Sequence, residues 1–189
     1  MKNQAEKSSS SLECNIVAKA QESRNKVQNY FWKFWSIFGL PYFWILLGII
    51  FLILGNFMIP ALFLVLVMSY VLIIAPLKIL VKRPRPQEKC DNVHSLVSKT
   101  KYSFPSGHTF FATSFGLIIA FYFGELFWFI VIFSLGFMVG ASRIYLGAHF
   151  LSDVVFSYMI AILVVIIIFW VLFPLITLFL TIIQGSVPL

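Results

Sequence analysis

Three short polar clusters interrupt an otherwise apolar sequence, and their residue types suit chemistry on an anion. They are Lys78 with Arg85 and Pro86, then Pro105-Ser106-Gly107-His108, then Ser142-Arg143 with His149 and Asp153. Ionisable groups at membrane depth are costly and usually mark a functional site. The clusters therefore identify the candidate site residues.

The third cluster contains a candidate nucleophile. His149 and Asp153 are four residues apart, so on a helix they share one face. An aspartate that accepts a hydrogen bond from one imidazole nitrogen fixes the tautomer and leaves the other nitrogen free. That free nitrogen can attack phosphorus, while Asp153 stabilises the imidazolium character that develops. The pair predicts a catalytic role for both residues.

Basic residues from two clusters supply charge for a phosphate. Lys78, Arg85 and Arg143 provide many donors, and guanidinium groups match phosphate oxygens in paired hydrogen bonds. These three side chains are the predicted phosphate-binding cations.

The second cluster precedes an apolar segment and predicts a helix N-terminus, where backbone N–H groups favour an anion. Ser106 can cap this helix and donate to a phosphate oxygen, and Gly107 lets the backbone approach a ligand. His108 is then placed to protonate a leaving alkoxide. We therefore predict that Ser106 and Gly107 bind phosphate and that His108 is the general acid.

Each cluster also has a structural explanation of its own. Lys78 could snorkel at the end of a span, and Arg83 and Arg85 could belong to a juxtamembrane basic patch. Pro105 to Gly107 could be a helix-start turn, and His149 with Asp153 a structural pair. Taken together, these explanations require three independent coincidences on one membrane face, which favours a common site.

The remaining polar residues predict no metal site and no cofactor. Apart from Asp153, the nearest acids are Glu88, Asp91 and Glu125, too few for a two-metal phosphatase. The two cysteines, Cys14 in the tail and Cys90 in a loop, build neither a zinc spacing nor a disulfide framework. His94 lies in a polar loop without an obvious partner, and we expect it to be solvated.

The composition places this chemistry in a membrane. Of 189 residues, 60% are hydrophobic and 11% are charged, which is typical of an integral-membrane protein. The net charge of +7 is concentrated in the N-terminal tail and in one loop rather than on a broad basic face, so a nucleic-acid partner is not expected.

The elements that must position the site are helices, and the sequence predicts an all-α membrane bundle of about five spans. A polar, disordered tail over 1–26 precedes a membrane domain over 27–189, which opens with an interfacial aromatic helix at about 27–38. The spans are predicted at about 36–55, 60–80, 106–123, 126–142 and 152–173. Pro174 is expected to kink or end the last span.

This order brings the polar loops over 81–104 and 143–152 to the same membrane face, because two spans separate them. The tail lies on that face too. The positive-inside rule would make the face cytoplasmic. Since the loop charges also serve phosphate, the sidedness stays open.

The three clusters resemble the signature of the type-2 phosphatidic acid phosphatase superfamily, K-x(6)-R-P, P-S-G-H and S-R-x(5)-H-x(3)-D. All eleven specified residues are present, and the match covers roughly 60–165. The resemblance implies a helical fold shared with vanadium haloperoxidases and a phosphohistidine on His149. It also implies that His108 protonates the leaving group, that Asp153 orients His149, and that no metal takes part. The implied phosphate-binding residues are Lys78, Arg85, Ser106, Gly107 and Arg143.

Locally, Leu77 to Pro86 and Lys101 to His108 are similar to the branch that dephosphorylates polyisoprenoid diphosphates, including presqualene diphosphate. The implied partners are a lipid phosphate substrate and membrane lipid. Phosphatidate or a related glycerolipid phosphate is an alternative substrate, and a non-catalytic protein that binds lipid headgroups is an alternative function. Many family members have six spans, one more than this sequence predicts. The oligomeric state is not predicted.

Overall fold

The computed structural model describes residues 2–97 and 101–183, and every regular element in these ranges is helical. In chain order the helices are α1 (Lys2–Gln21), α2 (Lys26–Ile37), α3 (Pro41–Ile53), α4 (Met58–Ser69), α5 (Ala75–Val81), α6 (Pro86–Lys89), α7 (Gly107–Phe123), α8 (Leu126–Tyr145), α9 (Leu151–Ile167) and α10 (Phe173–Ile183). The predicted all-α class is confirmed.

The core of the bundle surrounds α7, which packs against α8 and α9 and also contacts α3 and α4. Aromatic rings fill this core: Phe115 stacks on Trp44 with ring centroids 5.4 Å apart and meets Phe63 edge-on at 4.6 Å. Phe110, Phe115 and Trp44 are almost fully buried. Because this packing fixes α7, it also fixes the polar residues at its N-terminus.

The described residues contain three helices that are long and apolar enough to cross a membrane: Met58–Lys89, Leu126–Tyr145 and Leu151–Phe179. The pair Lys26–Ile37 and Pro41–Ile53 forms a fourth if its 49° bend lies within one span. The chain is thus a multi-pass membrane protein. The predicted fifth crossing is α7, an apolar helix of 17 residues, so the count of five stays a prediction.

Two prolines inside long helices are accommodated by π-helical turns. The turn Tyr70–Ile74 joins α4 to α5 just before Pro76, and the turn Ile168–Leu172 joins α9 to α10 just before Pro174. A proline lacks an N–H and clashes with the carbonyl four residues earlier, and a wider turn relieves both problems. The chain therefore stays helical beyond Pro174, and the last span does not end there.

The predicted disorder of residues 1–26 is wrong for most of the segment, because α1 is helical and its C-terminal half packs on the protein. Val17 is fully buried in a small cluster with Val93 and Phe150. After the helix, Arg24 donates hydrogen bonds to the carbonyls of His94 and Tyr145. Residue 1 lies outside the described residues. The tail is polar in composition but gains order from these tertiary contacts.

The expectation that the two cysteines form no disulfide is also wrong. Cys14 of α1 is bonded to Cys90, 76 residues further along the chain, with the Cα atoms 5.7 Å apart. A separation of this length leaves no local spacing signal in the sequence. The bond fixes α1 to the loop between α5 and α7.

That loop, predicted over 81–104, is not irregular throughout. It begins at Lys82, whose left-handed conformation (φ 50°) ends α5, and it contains the short helix α6. Residues 98–100 of the loop, like 184–189 at the end of the predicted membrane domain, lie outside the described residues.

Candidate active site

A cavity lined by polar and charged residues, of about 440 Å³, lies at one end of the bundle. Six of the eight predicted site residues line it: Lys78, Arg85, Gly107, His108, Arg143 and His149. The other lining residues are Lys33, Ser36, Ile37, Leu40, Tyr70 and Val97. The remaining two predicted residues, Ser106 and Asp153, are fully buried and outside the lining. The structure thus brings segments from all three polar clusters to one place.

His149 lies in the short loop between α8 and α9, and its environment suits a nucleophile. Its backbone N–H donates to the carbonyl of Arg143 at 3.3 Å, which ties it to the end of α8. Its Nδ1 lies 3.7 Å from Oδ2 of Asp153, in the first turn of α9. Among the described residues, Nδ1 has no hydrogen-bond partner. If Nδ1 carries the proton toward Asp153, Nε2 is the nitrogen left unprotonated.

Burial sets the protonation state of this imidazole. His149 is 2% exposed, and burial lowers its pKa from 6.5 to about 4, although the adjacent Asp153 acts in the opposite direction. The ring is therefore neutral at neutral pH, with a lone pair available for attack on phosphorus.

The two arginines are held by backbone and side-chain acceptors and are largely buried. Arg85 Nη1 donates to the carbonyl of Ala148 at 2.8 Å, directly before the predicted nucleophile. Arg143 Nη1 donates to Oγ of Ser36 at 2.6 Å. In the described part of the chain, Nε of Arg143 has no partner. A fixed guanidinium group such as that of Arg143, with an unpaired donor, is suited to binding an anion.

Lys78 and Ser106 are connected through the turn before α7. Nζ of Lys78, in the last turn of α5, donates to the carbonyl of Pro105 at 2.6 Å. Ser106 is the N-cap of α7, and its hydroxyl accepts from the backbone N–H of Thr109 at 3.4 Å. The predicted cap is confirmed. The predicted contact of Ser106 with phosphate stays a prediction, since its side chain lies behind the cavity.

Close packing around His108 leaves little room for a side chain at two positions, and both are glycines. A Cβ on Gly107 would lie 3.2 Å from the ring of Tyr70, and a Cβ on Gly39 would lie 2.6 Å from Cβ of His108. Tyr70 and the α2–α3 turn therefore sit directly against the start of α7. Together they fix the His108 side chain at the cavity wall.

Helix α2 contributes residues to the site that were not predicted from the sequence. Lys33 and Ser36 line the cavity, and Asn29 accepts a hydrogen bond from the Tyr145 hydroxyl at 3.0 Å. These three residues follow helical spacing on the side opposite the exposed aromatic residues. This polar stripe on an otherwise aromatic helix was the signal that could have revealed them.

A charged network behind Asp153 was not predicted from the sequence either. Arg83, treated as part of a basic patch, pairs with Asp153 and with Glu13 of α1. Neither Arg83 nor Glu13 lines the cavity. His94 is exposed, as expected for a solvated loop residue.

The donor set of the site is basic rather than metal-binding. Among residues 2–97 and 101–183, no group of three or more His, Cys, Asp and Glu side chains is placed to hold a metal ion. The charge available to a phosphate in the cavity comes instead from Lys33, Lys78, Arg85 and Arg143.

Comparisons with known proteins show a family match that contains all eight predicted site residues. The PAP2 superfamily matches residues 58–176, which contain all three polar clusters. The crystal structure of LpxE from Aquifex aeolicus superposes with a TM-score of 0.72 at 28% identity, covering 81% of this chain and 92% of that one. No curated protein matches the chain in sequence.

The PAP2-type phosphatidylglycerolphosphate phosphatase from Bacillus subtilis, a transmembrane protein, is a second structural relative. It superposes with a TM-score of 0.69 at 24% identity, covering 84% of this chain and 83% of that one. At this identity the likeness shows the shared fold.

Proposed function

Because the chain belongs to the PAP2 superfamily of phosphatases, we propose that it hydrolyses a lipid phosphate monoester or diphosphate through a phosphohistidine on His149. The observation that carries the proposal is the convergence of His149, His108 and three cations on one cavity at the end of a membrane bundle. The phosphate enters this cavity while the lipid tail stays among the spans.

In the first step, Nε2 of His149 attacks phosphorus as the bond to the leaving oxygen breaks. Asp153 holds the imidazole at Nδ1 and stabilises its positive charge. His108 gives its proton to the leaving oxygen. Lys78, Arg85 and Arg143 offset the charge on the phosphoryl oxygens, and the Gly107 N–H adds a donor at the start of the helix that Ser106 caps. A contact of Ser106 itself with phosphate would need its hydroxyl to turn into the cavity.

In the second step, water attacks the phosphoryl group and the P–N bond breaks. His108 accepts the proton of this water, and inorganic phosphate leaves. The lipid product is an alcohol if the substrate was a monoester, and a lipid monophosphate if it was a diphosphate. The charge on the transferring group is met by Lys and Arg, so the reaction needs no metal ion.

Among substrates we favour a polyisoprenoid diphosphate. Lys33 extends from α2 to the cavity wall and adds a cation to the three predicted ones. A diphosphate carries more negative charge than a monoester, and a fourth cation offsets it. Phosphatidate or a related glycerolipid phosphate is the competing substrate.

The proposal is tested with the purified protein in detergent and a metal chelator, measuring phosphate release from farnesyl diphosphate and from phosphatidate. We expect chelator-resistant release by the wild type and release at least a thousandfold lower for His149→Ala, since the nucleophile is gone. His94→Ala, in the exposed loop, is the matched control and should stay active. Full activity of His149→Ala would refute the mechanism, and loss of wild-type activity with chelator would refute its metal independence.

The diphosphate preference is tested by comparing farnesyl diphosphate with farnesyl monophosphate. We expect Lys33→Met to lower kcat/KM for the diphosphate by roughly tenfold and for the monophosphate by no more than about threefold. Lys26→Met, at the exposed start of the same helix, is the matched control. Equal losses on the two substrates would argue against a diphosphate-binding role for Lys33.

A further inference from the structure

Behind the cavity, a carboxylate of α1 reaches the residue that holds the nucleophile. Glu13 forms an ion pair with Nη2 of Arg83, and Nη1 of the same guanidinium pairs with Oδ1 of Asp153. Oδ2 of Asp153 accepts the backbone N–H of Phe150 at 2.9 Å and faces Nδ1 of His149. A continuous chain of contacts therefore runs from Glu13 to the imidazole.

Ser152 forms a second connection between Glu13 and Arg83. Ser152 donates its hydroxyl proton to the other oxygen of Glu13 and accepts from Nη1 of Arg83 at 2.6 Å. The Arg83 guanidinium also lies over the ring of Phe150, 4.4 Å from its centroid. The Arg83, Glu13 and Asp153 side chains are 20%, 15% and 0% exposed. Such shielding makes the pairs stronger than a solvated surface ion pair.

Glu13 is held in place by covalent and apolar contacts. The next residue, Cys14, is bonded to Cys90. One turn further on, Val17 is fully buried against the cluster that contains Phe150. The side chain of Gln21 donates to the carbonyl of Tyr145 at 3.2 Å. These contacts fix α1 against the loop that carries the nucleophile.

We propose that Glu13 is a positioning residue of the active site, acting through Arg83 on Asp153. An arginine beside Asp153 would by itself neutralise the carboxylate and weaken its hold on the imidazolium that forms at His149. Glu13 offsets this arginine, so that the three side chains together keep one net negative charge. The N-terminal helix is therefore part of the catalytic apparatus, an inference that rests on the proposed function.

The test is Glu13→Gln in the full chain, with farnesyl diphosphate as substrate. We expect kcat to fall roughly tenfold while KM changes by less than about threefold, because Glu13 touches no substrate and acts on a developing charge. Glu13→Asp, which keeps the charge, should recover most of the loss. Glu22→Gln removes the same charge from an exposed position after α1 and should behave as the wild type.

Unchanged kcat in Glu13→Gln, or equal losses in Glu13→Gln and Glu22→Gln, would overturn the proposal and leave the phosphatase function standing. Binding of orthovanadate, measured by calorimetry, provides a readout without turnover. We expect its affinity to fall roughly tenfold in Glu13→Gln, since bound vanadate resembles the transferring phosphoryl group. If the wild type hydrolyses no lipid phosphate, the proposed function fails, and the vanadate affinities alone decide the role of Glu13. If the wild type neither hydrolysed a lipid phosphate nor bound vanadate, both proposals would be overturned.

Discussion

His149 shows how burial and charge act together on one side chain. The ring is shielded from water, next to Arg143 on one side and Asp153 on the other. Burial outweighs Asp153 and keeps the pKa of the imidazole near 4. A neutral ring has an unprotonated nitrogen, which is the form that a nucleophile requires.

The lowered pKa of His149 predicts a pH-dependent stability. Above pH 6.5 the imidazole is neutral in both the folded and the unfolded chain, so it contributes nothing. As the pH falls toward 4, only the unfolded chain binds the proton, and the folded state loses stability, by roughly 2 kcal/mol at pH 5. We expect His149→Gln to remove this part of the acid-induced decrease in the melting temperature, measured in detergent without phosphate.

The control for this measurement is His94→Gln, which removes an exposed histidine from the same membrane face. If His149→Gln and the wild type lost the same stability between pH 7 and pH 5, the imidazole would not be held neutral by burial.

The sequence predicted the residues of the three motifs better than the residues that contact or surround them. His149, His108 and Arg143 belong to spaced motifs whose residue types suit phosphate chemistry, and the structure brings them to one cavity. Lys33 and Glu13 belong to no such motif, and tertiary contacts alone bring them to the site. Glu13 is one charge in a polar segment, which carries no information about what it will contact, whereas the polar stripe of α2 was the signal for Lys33.

At the scale of the helices, small residues allow close packing of α7 against α8 and of α8 against α9. A Cβ on Gly116 of α7 would lie 2.3 Å from Cγ2 of Ile132 on α8, and a Cβ on Gly140 of α8 would lie 2.1 Å from the Tyr158 hydroxyl on α9. Close approach at small residues is a common basis of helix association in membranes. The glycines therefore set the distances between the helices that carry the site.

Gly116→Ala is predicted to destabilise the bundle by about 1–3 kcal/mol through overpacking against Ile132. Thermal unfolding in detergent measures the effect. In a double-mutant cycle, Ile132→Ala should remove most of the cost of Gly116→Ala, because the clashing atom is absent. Additive effects of the two substitutions would show that this contact is not the cause.

Helix positions were predicted well wherever apolar runs end at polar or turn residues. Predicted breaks near Gly55, Glu125 and the loop before Ser152 agree with helix ends in the structure. The order of α1 could not be predicted, because its sequence is polar and its stabilising partner Cys90 lies far along the chain. The bend between α2 and α3 follows from local backbone geometry that hydropathy does not reveal.

For the whole molecule, the disulfide bears on which side of the membrane carries the site. The distribution of Lys and Arg alone left this open. Cys14 and Cys90 lie in the cluster that contains Phe150, next to the predicted nucleophile. The disulfide and the cavity are therefore on one membrane face. Disulfides persist in oxidising compartments and are rare where glutathione keeps thiols reduced. A disulfide on this face predicts that the face lies in an oxidising compartment.

The structure predicts that Cys14 and Cys90 are bonded in cells. Membranes prepared with N-ethylmaleimide present from lysis should yield a protein without alkylated cysteines and with a mobility that changes on reduction. Cys14→Ser with Cys90→Ser is the reference for the reduced mobility. Alkylation of both thiols in the wild type before any reductant is added would place this face in a reducing compartment.

Residues from three separated segments are proposed to gather around one phosphoryl group and to transfer it to His149. The most direct measurement is a rapid alkaline quench of the enzyme mixed with farnesyl diphosphate labelled at the terminal phosphate, followed by peptide analysis. We predict an alkali-stable, acid-labile phosphate on the peptide that contains His149, formed before free phosphate appears and absent in His149→Ala. Phosphate release without labelled His149, at a rate unaffected by His149→Ala, would contradict the account.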